Sequence, residues 1–153
     1  MPGTTRTGAA PELLVRLLCA EGSVPARAHP GDAGLDLVAA EGCELAPGAR
    51  AAVPTGIAVA IPEGHAGLVV PRSGLARRHG VTVANAPGLI DAGYRGELVV
   101  LLVNLGDVAH RIAPGDRVAQ LVVVPIALCE VRRVGQLPPS DGRGEGGFGS
   151  TGA

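Results

Sequence analysis

Short runs of Val, Leu, Ile and Ala recur along the chain, each closed by Gly, Pro or Asn, and this rhythm predicts many short strands. Residues 13–18 form the first such run; its length, and Gly22 and Pro25 behind it, favour a strand. Residues 29–37, His-Pro-Gly-Asp-Ala-Gly-Leu-Asp-Leu, turn at Pro30-Gly31 and enter a strand at Leu35. Alternation then places Asp36 on the face opposite Leu35 and Leu37. Residues 44–70 read as strand, turn, strand, with turns at Pro47-Gly48 and Glu63-Gly64 and a strand over residues 56–61. Residues 71–80 break the rhythm. Ser73 is a suitable N-cap, and residues 75–79 fit about two helical turns that Gly80 ends.

Residues 81–84 and 98–103 are strand-like and flank residues 87–97, which predicts a β-hairpin. Turns follow at residues 104–107 and 114–116. Residues 117–125 form a strand with Gln120 inside its apolar run, and residues 129–134 a last short one. Pro138-Pro139 ends the ordered body. The expected fold class is therefore all-β with one short helix.

Composition narrows this picture. A chain of 153 residues is one domain by length. Its net charge of -1 supplies no basic field for nucleic acid, and no apolar run reaches the length of a membrane span. Residues 1–10 lack the apolar centre of a signal peptide, and residues 1–11 read as a disordered arm. Gly 24 and Pro 13 together approach the range of low complexity, but they sit between apolar runs and so mark turns. One Tyr, one Phe and no Trp leave an aliphatic core and make Tyr94 and Phe148 informative. Cys19, Cys43 and Cys129 sit beside apolar residues, as small buried hydrophobes do. They form no Cys-x-x-Cys pair, which argues against zinc and dithiol chemistry and for a reducing cytoplasm.

Candidate chemistry concentrates in Pro-Gly-Leu-Ile-Asp-Ala-Gly-Tyr-Arg-Gly-Glu, residues 87–97. Asp91, Tyr94 and Arg95 offer a carboxylate, a ring and a guanidinium between glycines that permit close approach. An ordinary polar hairpin tip has the same composition. Asp36 within a strand needs a hydrogen bond, a cation or a metal-bound water, unless it braces a turn, the better role for Asp32. Ser73 and Gly74 would open a helix N-terminus beside Arg72: an anion site, or a capped surface helix. Gln120 satisfies backbone groups or faces a ligand. Residues 143–152 are too glycine-rich to fold alone. They read as a linker, or as a lid whose Phe148 stacks on a planar base while Arg143, Ser150 and Thr151 hold phosphate. His29, His65, His79 and His110 read as surface or packing residues.

Five segments in order resemble the motifs of the homotrimeric deoxyuridine triphosphatase family: Ala-Gly-Leu-Asp-Leu at 33–37, Pro-Arg-Ser-Gly-Leu-Ala at 71–76, Gly-Leu-Ile-Asp-Ala-Gly-Tyr-Arg-Gly-Glu at 88–97, Gly-Asp-Arg-Val-Ala-Gln at 115–120 and Arg-Gly-Glu-Gly-Gly-Phe-Gly-Ser-Thr-Gly at 143–152. The resemblance runs from residue 13 to the end. It implies a jelly-roll-like β-barrel subunit over residues 12–137, a homotrimer, and a tail over residues 138–153 that closes a neighbour's pocket. It implies Mg²⁺-dependent hydrolysis of dUTP to dUMP and pyrophosphate, keeping uracil out of DNA and supplying dUMP for thymidylate synthesis.

By the same resemblance, Asp91 is the general base and Tyr94 packs under the deoxyribose. Asn85 reads uracil, helped by backbone groups at Leu89 and Ile90. Arg72, Ser73, Gly74 and Gln120 bind phosphate. Asp36 holds a water of the Mg²⁺ shell. Arg143, Phe148, Ser150 and Thr151 form the closing tail. A dCTP deaminase, or a bifunctional deaminase and triphosphatase, shares the fold but usually carries a second Ser where this chain has Gly74. A non-catalytic nucleotide-binding regulatory trimer is the other alternative, and the presence of Asp91 argues against it.

Overall fold

The computed structural model describes residues 10–140. Ten strands and one helix are laid down in the order β1 (Leu14–Leu17), β2 (Leu35–Val38), β3 (Cys43–Leu45), β4 (Arg50–Ala60), β5 (His65–Val70), α1 (Ser73–His79), β6 (Val81–Val83), β7 (Gly88–Ile90), β8 (Glu97–Asn104), β9 (His110–Ile112) and β10 (Arg117–Pro125). Two four-stranded sheets, β1-β4-β8-β6 and β2-β10-β5-β7, face each other in a jelly-roll-like arrangement, with β3-β9 as a separate ribbon. Every pairing is antiparallel.

Period-two alternation builds the core. Leu98, Val100 and Leu102 of β8 point inward while Val99 and Leu101 stay exposed. They meet Leu37, Leu45, Val53, Ile57, Ile112 and Leu121 in a wholly aliphatic cluster. Burying each such side chain contributes about 1.5–3 kcal/mol. Asn104 and Thr55 are the buried polar residues among those described. The Asn104 amide donates to the carbonyls of Leu45 and Val108, both at 2.9 Å, and its Oδ1 accepts from the Gly106 N–H.

The strand predicted over residues 56–61 begins earlier, at Arg50. Pro54 concealed it, because proline cannot donate to a ladder and is rare in a central strand. Here it sits where the β4–β8 register shifts, between the pairs Pro54↔Val99 and Ala58↔Glu97. The bulge is hydrogen-bonded: Thr55 Oγ1 donates to the Leu98 carbonyl at 2.6 Å, and the Gly56 N–H donates to Glu97 Oε1 at 2.8 Å. Gly56 has φ 67°, and an added Cβ would lie 2.5 Å from Cys19 Sγ, so both conformation and space require glycine there.

Other expectations change. The predicted hairpin is interrupted: β6 and β8 do pair, Val81↔Asn104 to Val83↔Leu102, but the connection crosses to the opposite sheet. There Gly88, Leu89 and Ile90 pair with Val69, Leu68 and Gly67 as β7. Ser73 is the first helical residue rather than the cap. Arg72 takes the cap position in extended conformation, and no side chain caps the helix. Gly80 ends the helix at φ 70°, as read from the sequence. Residues 129–134 form no strand. This segment pairs with no strand among the described residues, and Leu128 and Val131 stand 84% and 99% exposed. Cys19 and Cys129 are exposed and Cys43 half-buried, so only Cys43 resembles the small hydrophobe expected; burial pushes its thiol pKa up.

Candidate active site

The chain from β6 to β8 forms one side of an open cleft of about 360 Å³, lined by Asn85, Leu89, Ile90, Asp91, Tyr94, Glu97, Leu98, Val99 and Leu101. Five of the residues singled out from sequence thus come together. Asn85 lies just before the cis Ala86–Pro87 bond, and its amide packs over Gly88, where an added Cβ would come 3.4 Å from Nδ2. Leu89 and Ile90 sit on β7, exposed and half-buried respectively.

Residues 91–97 are braced by their own backbone. The Tyr94 N–H donates to the Asp91 carbonyl at 3.0 Å. Arg95 Nη1 donates to the carbonyls of Ala92 at 2.6 Å and Tyr94 at 2.7 Å. The Tyr94 hydroxyl donates to the Glu97 carbonyl at 2.9 Å, leaving the ring 44% exposed to the cleft. The Asp91 carboxylate is exposed and makes no hydrogen bond or ion pair among the described residues. It is free to accept a proton from a substrate-side water. The sequence placed Arg95 among the chemical groups, but both of its bonds serve the loop.

A second group stands on the outer face of the β2-β10-β5-β7 sheet, toward the edge away from β7. Asp36 on β2 lies opposite Gln120 on β10, which lies opposite Val70 on β5. Gln120 lies over Gly34, where a Cβ would meet its Cδ at 3.0 Å. Arg72, leaving β5, reaches back over β10, its Nε 3.3 Å from Asp36 Oδ1. Arg117 Nη1 lies 3.3 Å from Asp36 Oδ2, and Arg72 Nη1 donates to the Arg117 carbonyl at 3.3 Å. The Asp36 side chain is only 11% exposed, so this enclosed carboxylate is compensated by two guanidiniums. The Arg72–Asp36 contact is an ion pair without hydrogen-bond alignment, which leaves Asp36 Oδ1 and Arg72 Nε buried with no hydrogen-bond partner.

Ser73 and Gly74 open α1 next to Arg72, and their N–H groups donate to nothing among the described residues. Asp32 braces the preceding turn: Oδ2 accepts from the His29 N–H at 2.9 Å, and its carbonyl accepts from Arg27 Nε at 2.6 Å. Arg143, Phe148, Ser150 and Thr151 lie outside the described residues.

The two groups do not meet within one chain. No hydrogen bond or ion pair among the described residues joins them, and no member of the charged group lines the cleft. β2 and β7 stand at opposite edges of one sheet, three strand spacings or about 14 Å apart. A larger groove of about 530 Å³, lined by residues such as Leu13, Val24, Arg27, Pro62 and His65, contains none of the candidate site residues.

Arg117 and Glu97 are the functional-site neighbours that sequence reasoning passed over. Asp36 demanded a cation, and the β2–β10 register alone reveals that Arg117 supplies one. Glu97 begins β8, and only the bulge in β4 turns its carboxylate onto Gly56.

The family model described as dUTPase matches residues 20–152. The chain is 53% identical over 142 residues to the deoxyuridine 5'-triphosphate nucleotidohydrolase of Streptomyces griseus, covering 92% of this chain and 80% of that protein. The protein of the same name from Mycobacterium bovis is 54% identical over 137 residues, 84% of this chain and 87% of its own. Among solved structures, the dUTPase of Staphylococcus bacteriophage 80alpha with dUPNHPP superposes with a TM-score of 0.87 at 35% identity, over 93% of this chain and 99% of that one. A mutant dUTPase of phage phi11 of S. aureus, described as revealing coordination of a structural Mg(II) ion, gives 0.76 at 34% identity, over 82% and 97%.

Proposed function

The chain belongs to the dUTPase family, and from that premise we propose that it hydrolyses dUTP to dUMP and pyrophosphate by attack of water at the α-phosphate. The observation that carries the proposal is the cleft in which Asn85, the β7 backbone, the Tyr94 ring and the unbonded Asp91 carboxylate converge. Asp91 takes the proton of the attacking water, a role that contributes ~10²–10⁴-fold in rate. Tyr94 floors the sugar site and leaves no room for a 2′-hydroxyl. Asn85, with the backbone at Leu89 and Ile90, reads uracil. Cytosine reverses the donor and acceptor pattern, so its misfit leaves buried polar groups unpaired at ~1–3 kcal/mol each.

Arg72, Gln120 and the free N–H groups at Ser73 and Gly74 bind the phosphates. Asp36 fits Mg²⁺ through water: it is a hard oxygen donor, and its buried Oδ1 lacks an aligned hydrogen bond. Mg²⁺ bound by the phosphates would neutralise charge developing on them.

Because the two groups do not meet within one chain, the cleft of one subunit is completed by the charged group of a neighbour in a homotrimer. The tail, residues 138–153 with Arg143, Phe148, Ser150 and Thr151, closes the pocket. The domain spans residues 12–137; of the arm read at residues 1–11, residues 1–9 lie outside the described residues, and Ala10 and Pro11 line the larger groove. The free cysteines suit a cytoplasmic enzyme supplying dUMP. A panel of dUTP, dCTP, dTTP and UTP, assayed for pyrophosphate and ammonia with and without Mg²⁺, tests the proposal. Magnesium-dependent pyrophosphate from dUTP is expected. Ammonia from dCTP would point to the deaminase, and an inert panel to a binding protein.

A further inference from the structure

Tyr94 owes its position to a side chain that is missing. A Cβ built on Gly96 would lie 2.4 Å from the Tyr94 hydroxyl oxygen, 2.7 Å from Cζ and 3.1 Å from Cε2. Gly96 is not among the positive-φ glycines, so its backbone suits an L residue, and the three atoms nearest an added Cβ all belong to the ring. The ring's hydroxyl is tied to the carbonyl of Glu97 at 2.9 Å. Glu97 is tied in turn across the sheet, its Oε1 accepting the Gly56 N–H at 2.8 Å within the β4 bulge. A line of contacts therefore runs from the bulge in β4 through residue 97 to the ring that faces the cleft.

We propose that Gly96 and Glu97 are positioning residues that set the discrimination between deoxyribose and ribose: Gly96 by giving the Tyr94 ring its seat, Glu97 by fixing the carbonyl that anchors the ring's hydroxyl. The inference rests on Tyr94 being the floor of the sugar site. Tyr94 is the exposed, movable partner, so an added methyl at 96 displaces the ring rather than the fold. The displaced ring no longer excludes the 2′-hydroxyl. Removing the Glu97 carboxylate frees the Gly56 N–H and loosens the same anchor from behind.

The test compares kcat/KM for dUTP and UTP in Gly96→Ala, Tyr94→Ala and the double variant, alongside Glu97→Ala and Glu97→Gln. Tyr94 is the sole Tyr in a chain without Trp, so intrinsic emission and its quenching by iodide report on this ring directly. Gly96→Ala is expected to fold, to change the Tyr94 emission, and to lower the dUTP:UTP ratio roughly tenfold or more, the scale of a methylene-sized misfit. It should lower the ratio no further in the Tyr94→Ala background. Glu97→Ala should lower it too, with Glu97→Gln restoring it, since the amide oxygen still accepts from Gly56. This pair decides the matter if Gly96→Ala does not fold. A displaced ring with an unchanged ratio, or losses that add in the double variant, would overturn the inference alone. An unchanged ratio in Tyr94→Ala would overturn the sugar-site assignment and the inference with it.

Discussion

The cleft loop and the charged group on the outer face of the second sheet solve the problem of holding a ligand in opposite ways. Residues 91–97 fix their shape through backbone carbonyls and leave the Asp91 carboxylate unbonded. The charged group spends its side chains on one another, with Asp36 held between Arg72 and Arg117. A pre-shaped loop suits a planar base and a sugar, where misfit is the discriminating force. A cluster of two guanidiniums on one carboxylate suits a polyanion, which can take over the arginines from Asp36. The difference teaches that shape and charge are built separately here, and the proposed site is complete only when the two halves come together.

Substitutions should separate the halves, and Asp91→Asn should have the largest effect. It should lower kcat by about 10²–10⁴ while the thermal midpoint holds, because the carboxylate braces nothing. Steady-state pyrophosphate release and a melting curve check both parts. Truncation after Pro139 should come next. Loss of the proposed phosphate donors Arg143, Ser150 and Thr151 is expected to cost roughly 10²–10³ in turnover, with the subunits still folded and associated by light scattering. Unfolding on truncation would place the tail in the folded body instead.

Arg72→Ala should differ in kind from Asp91→Asn. It should raise KM for dUTP and also destabilise the fold by about 1–2 kcal/mol, since Asp36 would keep only the more exposed Arg117. Denaturant unfolding without nucleotide isolates that structural part. The smallest effect should come from His110, whose ring centroid lies 4.2 Å from that of His79 at the end of α1, far in sequence from the cleft loop. Burial first and His79 second lower its pKa, against Asp116, which raises it. Arg78 and Asp107 line the same recess. The unfolded chain therefore takes up the proton first as pH falls through ~6.5, so this share of stability is full above that value and is lost on acidification. His110→Asn should flatten the fall in melting temperature between about pH 7.5 and 5, and leave selectivity among nucleotides as it was.

The cleft was more legible in the sequence than the charged group. Residues 85–97 lie close along the chain, so spacing alone placed Asn85, Asp91 and Tyr94 near one another. Asp36, Arg72 and Gln120 are brought together only by the register of β2, β10 and β5, and period-two alternation could do no more than put Asp36 on the polar face. Local pattern singled out each of the three with two readings open, and the family resemblance chose between them. The limits of the strands were harder. Pro54 hid the first half of β4 because its place at a register shift is a tertiary fact. Residues 129–134 have a strand's composition, but a strand also needs a partner, and this segment pairs with none among the described residues. Gly96 looked like a turn glycine and proved to be the seat of an aromatic ring.

That one site is assembled from halves on different subunits can be tested by mixing. Asp91→Asn and Arg72→Ala proteins, the first low in kcat and the second weak in activity at dUTP far below its raised KM, would be unfolded together, refolded at equal amounts and assayed at that low dUTP. If the cleft of one subunit works with the charged group of another, some sites in mixed trimers regain both intact halves, and roughly a quarter of wild-type activity should return by random association. Activity no greater than the average of the two variants would show that both halves must come from one chain, and would contradict the account.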